Sequence, residues 1–496
     1  MDRSQLNIRP IIGLEIHVQL DTRTKMFCSC AIEFGAEPNS HVCPVCLGMP
    51  GSLPVMNRTA VEYSVRTALA LNCQIARFSK WDRKSYYYPD LPKNYQISQY
   101  DLPLGFDGAL EVPTGKNGEL RRVGIIRAHL EEDAGKNIHD NPSITQVDLN
   151  RTGTPLLEIV TQPDLISADE AYDFCTTLQR LVTYLGVSEG SMQKGQMRFE
   201  PNVNVAIEYG DQEYRTPIAE VKNLNSFRSV RNAIAYEIER HVNDWMVDHD
   251  YVVSKRPKEN RGWDDNRGTT EFQRSKEEAH DYRYFPDPDL VPVQIDDVWL
   301  EEIEHSVGEL PLARETRMQH EYGLSAEDAR TILSDRTTGD LFEAAAQLGH
   351  APTLAKQFIS SWTKAANERK CTVAELGVDA ERMGELSKIT ADGVINATIA
   401  ATIAEKLLDS PKGPTAIATQ EGLLQVRDEA PMQVWVDEAF AANAKAVQDA
   451  LGNPKKQKQA RGFLTGQVMK LSGGQADPKI VGKLIDEKLA AMSEGE

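Results

Sequence analysis

Four cysteines, one histidine-bearing strand and three groups of acids hold most of the chemistry open to this chain. Cys28-Ser29-Cys30 and Cys43-Pro44-Val45-Cys46 put two thiol pairs within nineteen residues. Four thiolates so spaced suit the tetrahedral, all-cysteine coordination of a structural zinc. The second pair has the form of a zinc-ribbon knuckle, while the first is tighter than the usual CxxC. A redox dithiol or four unrelated thiols are the alternatives. Cys73, Cys175 and Cys371 lie among apolar or helical neighbours and read as small core residues.

The acids lie on strand-like segments. In Gly13-Leu14-Glu15-Ile16-His17-Val18-Gln19-Leu20, apolar residues alternate with Glu15, His17 and Gln19, the period-two mark of a half-buried strand. A strand with one wet side explains that pattern without chemistry, but Glu, His and Gln are also the types a metal or phosphate site uses. Arg127-Ala128-His129-Leu130-Glu131-Glu132-Asp133 ends in three adjacent carboxylates. These repel one another, and a cation would relieve the repulsion; a solvated strand end is the plainer reading. Glu200, Asn202 and Asn204 share one face of a further alternating segment. Glu220 and Lys222 share a face just ahead of a helix start at Ser226, an arrangement that suits a metal-bridged phosphate.

No P-loop accompanies these acids, because none of the Gly-Lys pairs at 115, 135 and 482 is followed by Ser or Thr. Leu471-Ser472-Gly473-Gly474-Gln475 spells the signature of ABC-type ATPases, but without a P-loop it reads as a turn between two helices. Net charge is −19, which argues against a protein that coats nucleic acid nonspecifically. One local exception is Leu451 to Lys470, where Lys455, Lys456, Lys458, Arg461 and Lys470 occur with no acid. That window is either a basic patch for specific nucleic-acid binding or a solvated helix face.

At 496 residues the chain is too long for one core, and two or three domains are expected. Residues 11 to about 300 mix strands with helices over Met56 to Cys73, from a capping box at Ser167 to about Gly186, and after Ser226. The last has Val230, Ala233, Ile234, Ile238, Val242 and Trp245 as its buried stripe. Lys255 to Lys276 shows little periodicity and reads as a mobile loop. Beyond 300, strand signals vanish and helix starts recur, as at Ser325. The expected fold class is α+β, a mixed or antiparallel-sheet cradle over 1–300, a helical linker over 301–350 and a helical tail over 351–496. No apolar run nears the roughly 20 residues of a membrane span, and the N-terminus lacks the pattern of a secretory signal, so a cytoplasmic location is expected.

Read together, GLEIHVQL, CPVCLGMPGSLPV, YYYPDLPKNYQISQY, HLEEDAGK, NRTGTPLLEIVTQPD, KNLNSF and DYRYFPDPDL resemble the B subunits of tRNA-dependent amidotransferases, the GatB family. FLTGQVMK and ADPKIVGKLIDEKL resemble the helical tRNA-binding end of that family, and the likeness runs from about 10 to 492. The resemblance implies an ATP-dependent ligase. It would phosphorylate the side-chain carboxylate of Glu-tRNA(Gln) or Asp-tRNA(Asn), and ammonia would then displace the phosphate. The ammonia would come from glutamine through an amidase partner, with a small third protein completing a heterotrimer. The chain agrees in having no amidase signature of its own.

The resemblance also implies a magnesium site at Glu15, His17, Glu131, Glu132 and Glu220, with Lys222 among the catalytic residues and Lys93, Arg151 and Lys222 toward phosphate. Alternation puts Glu131 and Glu132 on opposite faces, so one of them is expected to bind. Cys28, Cys30, Cys43 and Cys46 would hold the zinc, and the five basic residues of the tail would meet tRNA. The chain departs from the family pattern at Phe199-Glu200, where members often carry Cys-Asp, and Glu200 is left out of the ligand set. The competing reading is a noncatalytic, zinc-containing tRNA-binding scaffold.

Overall fold

The structure is a computed structural model that describes residues 3–115, 118–141, 143–276, 282–426, 429–452 and 456–493. The chain divides into two compact units, Met1–Pro311 and Leu312–Glu496, the first rich in sheet and the second helical. The fold class is α+β.

The first unit is built on a ten-stranded sheet. Its central strand, Asn7–Gln19, runs antiparallel to Pro155–Thr161 on one side and to Met197–Tyr209 on the other. Beyond Pro155–Thr161 come Glu119–Glu132, Gly105–Thr114 and Gln74–Ile75. Beyond Met197–Tyr209 comes Ala219–Lys222, which pairs in parallel with Lys258–Asp264. Thr269–Lys276 closes that edge.

Alternation along the central strand decides what covers each face. Ile12, Leu14, Ile16 and Val18 are buried in one apolar core with residues of three helices, Arg58–Ala70, Ala168–Tyr184 and Phe227–Val247. Each helix starts where its sequence offers a cap. Asn57, Ser167 and Ser226 accept the amide N–H of Ala60, Glu170 and Ser229, satisfying donors that a helix N-terminus leaves free. With helices on that face, the opposite one holds Glu15, His17 and Gln19.

The Lys255 to Lys276 expectation is corrected. Lys258–Asp264 and Thr269–Lys276 form a hairpin that adds to the sheet. Its turn is fixed by Asp264, whose carboxylate accepts the amides of Asn266 and Arg267, and by Gly268 at φ +65°. A break in register between Asn260 and Arg261 disrupts the period that a strand pattern needs.

In the second unit, helices run from Leu312 to Ser493, among them Ala326–Ile332, which Ser325 caps through the amide of Asp328. Leu471-Ser472-Gly473-Gly474-Gln475 is the end of helix Gln457–Leu471. Gly473 and Gly474 take positive φ, and the Gly474 amide returns to the Met469 carbonyl. No helix among the described residues is long and apolar enough to cross a membrane.

Candidate functional site

Strand register assembles the site. His129, Glu158, His17 and Arg198 face one another across four neighbouring strands, so their side chains share the face the helices leave open. Two residues along in one direction the same face carries Glu15 and Glu200, and two along in the other it carries Glu131 and Gln19. Further across the sheet, Asn202, Glu220 and Asn260 form another row. Most of these groups line a cavity of about 450 Å3 together with Lys84, Lys222 and Lys258.

Three carboxylates converge on one imidazole. His17 Nε2 lies 3.4 Å from Glu158 Oε2, 3.7 Å from Glu131 Oε1 and 3.8 Å from Glu15 Oε1. His129 Nε2 lies 3.8 Å from Glu158 and 4.0 Å from Glu131. Burial lifts the carboxyl of Glu131 to about 7 and raises that of Glu15, whose proximity to Glu158 adds to the effect. Burial alone would lower His17, but its bond to Glu158 and the charge of Glu131 lift it to about 9. His129, with less compensation, is pulled down by burial to about 4. Glu158 stays low against its own burial because His129, His17 and Lys84 surround it. Nδ1 of both histidines is buried without a partner among the described residues.

Oxygen-rich donor sets suit magnesium. Glu15, His17 and Glu158 could hold a cation between them, as could His129, Glu131 and Glu158. The donors therefore fit a divalent ion, which would offset the mutual repulsion of acids held this close. The geometry enlarges the sequence-derived set rather than repeating it. It joins Glu131 to Glu15 and His17 and brings in Glu158, His129, Lys84 and Arg198, which sequence reasoning did not single out. Glu158 had a usable signal, being one acid inside the apolar run Leu156 to Val160.

Glu220 and Lys222 lie farther along the same cavity wall. Lys222 Nζ is 2.6 Å from Glu200 and 3.0 Å from Glu220, and Lys258 Nζ is 2.6 Å from Glu220. Burial works against ionisation of Glu220, but these two ammonium groups hold its carboxyl well below the usual range. Arg151 also lines the cavity, anchored by the carbonyl of Ala134 at 2.9 Å and that of Gly135. Gln19 donates to Asp133 at 2.7 Å, and Arg198 binds the same carboxylate at 2.9 Å.

Glu132 does not join them. Strand alternation turns it to the other side of the sheet, where Lys93 binds its carboxylate and the Ile97 amide donates to it at 2.9 Å. Lys93 is correspondingly absent from the acid cavity. Both line a second cavity, of about 190 Å3, with Cys28, Cys46 and Lys25. Gly153 forms part of its wall at φ +83°, a left-handed conformation that favours glycine, with Lys25, Cys46 and Glu132 packed around the space a Cβ would take.

Cys28, Cys30, Cys43 and Cys46 bring their sulfurs within 4.8 Å of one another. The Cys43 amide donates to Cys46 Sγ at 3.1 Å, and the fully buried Lys25 ammonium lies 3.6 Å from the same sulfur. Four sulfurs with an N–H donor and a compensating cation fit a tetrahedral thiophilic ion.

In the tail, Lys456, Lys458, Arg461 and Lys470 are exposed on or beside helix Gln457–Leu471. Lys455 lies outside the described residues. Arg461 is paired with Asp486, and Lys456 is 3.5 Å from Asp449.

Fold and site together define an α+β protein with an open, acid-lined cradle and a separate helical unit. A profile of the GatB/GatE catalytic domain matches residues 10–301, and one of the GatB domain matches 340–489. The chain belongs to the GatB/GatE family. It is 44% identical to a Carboxydothermus hydrogenoformans protein, over 97% of this chain and 99% of that one. It is 46% identical to one from Rhodopirellula baltica, over 98% and 97%. A Geobacter sulfurreducens relative is 45% identical over 98% and 100%. All three are named as the B subunit of an aspartyl/glutamyl-tRNA(Asn/Gln) amidotransferase.

Proposed function

We propose that this chain is the B subunit of a tRNA-dependent amidotransferase, a ligase that uses glutamine as nitrogen donor. ATP gives its γ-phosphoryl group to the side-chain carboxylate of Glu-tRNA(Gln) or Asp-tRNA(Asn), releasing ADP and leaving an acyl phosphate. Ammonia attacks the acyl carbon, loses a proton and expels phosphate, so that the amide forms. An amidase partner releases the ammonia and a small third protein completes the heterotrimer, in the cytoplasm.

The observation that carries this reading is the row of His129, Glu158, His17 and Arg198, buried at its first two members and partly so at the others, with Glu15 and Glu131 beside it. When bound there, Mg2+ would offset charge on the transferred phosphoryl group. Lys84, Arg198 and Lys222 bring fixed cations to the same cavity, a preorganised field for an anionic transition state. Residues 1–300 would carry the chemistry and the zinc knuckle, 301–350 would link, and 351–496 would hold tRNA through Lys455, Lys456, Lys458, Arg461 and Lys470. Zinc at the four cysteines has a structural role. A noncatalytic scaffold has no use for buried acids that raise one another's cost of ionisation.

The decisive experiment supplies the purified complex with ATP, glutamine and each mischarged tRNA. Amide formation on either tRNA, dependent on ATP, is expected; its absence on both would refute the proposal.

A further inference from the structure

Register sets Arg198 directly beside His17 on the open face. His17 Nε2 lies within 3.8 Å of Glu15, Glu131 and Glu158, so three carboxylates crowd the space next to the guanidinium. A planar fork of N–H donors forms some of the strongest pairs a carboxylate can make. An unrestrained arginine at 198 would therefore turn onto those acids and neutralise them. The structure shows a different partner. Among the described residues the one ion pair of Arg198 is with Asp133, at 2.9 Å. Glu131 and Glu200 act on its charge only from beyond ion-pair distance.

Asp133 is immobilised for that pairing. It is buried, and several donors fix its carboxylate. Gln19 donates to Oδ2 at 2.7 Å, the oxygen that Arg198 also binds, and the Ala134 amide donates to Oδ1 at 3.0 Å. Arg151, itself fixed by the carbonyls of Ala134 and Gly135, lies 3.6 Å from Oδ2. The main chain is held as well. The Asp133 amide donates to the Thr154 carbonyl at 2.8 Å, and the Asp133 carbonyl accepts the Gly153 amide at 2.9 Å. A carboxylate so fixed cannot follow the guanidinium, so the guanidinium must come to it. Gln19, the third polar residue of the central strand, thus braces the anchor rather than joining the acids. Arg198 Nε is buried with no partner among the described residues, an unmade bond that a free choice of position would have avoided.

We infer that Asp133 is a positioning residue that holds Arg198 away from Glu15, Glu131 and Glu158, so that those acids stay open to a divalent cation while the guanidinium remains on the cavity wall. The inference rests on the proposed function for the cation, and on the geometry alone for the partner Arg198 takes. With the charge of Asp133 removed, Arg198 becomes a competitor for the acids. An ion then binds only through the fraction of molecules in which the guanidinium has been displaced.

Binding of Mn2+, as a probe of the acids, is measured by electron paramagnetic resonance on the full-length chain with its thiol site loaded with zinc. The variants are Asp133→Asn, Arg198→Met and the two combined. Asp133→Asn is expected to bind Mn2+ about 10- to 100-fold more weakly than wild type, the factor set by one charged hydrogen-bonded pair. In the Arg198→Met background the same change should cost less than about twofold, because the competitor is gone. A general loss of one negative charge, or of structure, would instead give the same factor in both backgrounds, and that result overturns the inference. Wild-type Mn2+ affinity in Asp133→Asn overturns it too. In the amidation assay Asp133→Asn should need correspondingly more Mg2+ for half-maximal rate. A wild-type chain that binds no Mn2+, or a Glu158→Gln variant that binds it like wild type, would overturn the cation site of the proposed function and the inference that depends on it.

Discussion

Two of the places where the first unit buries charge treat it in opposite ways. In helix Phe227–Val247, Glu237 is completely buried, yet every side of its carboxylate is answered. Arg240 lies 2.6 Å away, Arg261 3.3 Å and His241 3.4 Å, with the Thr270 hydroxyl donating as well. Burial pushes this carboxyl up, but His241 and Arg240 overcome it and hold the group at about 2. In the acid cavity Glu131 is as well buried, but its cationic neighbour Lys84 and the imidazoles of His17 and His129 are shared with Glu158, and burial takes it to about 7. A balanced buried cluster stabilises a fold. One left short of positive charge is where a ligand belongs.

The largest test of that contrast is Glu237→Leu. It takes the carboxylate from between two guanidinium groups, leaving Arg240 with Asp244 and Arg261 with Glu259, and urea unfolding is expected to show a loss of about 3–5 kcal/mol. A neutral outcome would mean that the Glu237 cluster is no more balanced than the acid cavity. Next is Glu158→Gln, expected to reduce the amidation kcat by about 10²- to 10³-fold with tRNA affinity unchanged. Near-wild-type turnover would remove Glu158 from the site.

Glu131→Gln should act on stability with the opposite sign to Glu237→Leu. The folded carboxyl titrates near 7 against an ordinary 4.5, so the unfolded chain ionises first and stability falls as pH rises between those values. In magnesium-free buffer the variant should therefore be more stable than wild type at pH 8, by about 3 kcal/mol, and equal to it at pH 4. Glu237 titrates the other way. Its contribution is complete above 4.5 and is lost as pH falls toward 2. A Glu131→Gln variant that is less stable at pH 8 would contradict the charge imbalance. The smallest effect is expected in the tail, where Lys458 has no ion pair among the described residues and Arg461 has Asp486. Lys458→Gln should flatten the salt dependence of tRNA binding by about 0.7–0.9 in log–log slope, and Arg461→Gln by less; equal slopes would show that the pairing does not matter.

What the sequence disclosed follows from which interactions are local. The central strand and the three capped helices were legible because alternation, periodicity and caps are written in neighbouring residues. Glu15 and His17 were legible as one polar face for the same reason. Glu131 and Glu132 could be separated by alternation, but only the fold reveals that Lys93 claims Glu132. Glu158 was passed over because its partners, His17 and His129, are distant in sequence and meet it only through strand register. The hairpin over Lys258 to Lys276 escaped because edge strands can be polar on both faces and its register break spoils the period.

That dependence on distant partners bears on how the protein is made. Asn7–Gln19 cannot pair on both sides until Met197–Tyr209 has been synthesised. At the usual pace of translation the gap is about 10–40 s, during which Ile12, Leu14, Ile16 and Val18 have no finished core. The nascent chain therefore emerges with its central strand first and one of that strand's two partners much later, which makes the first unit a natural client for chaperones at the ribosome.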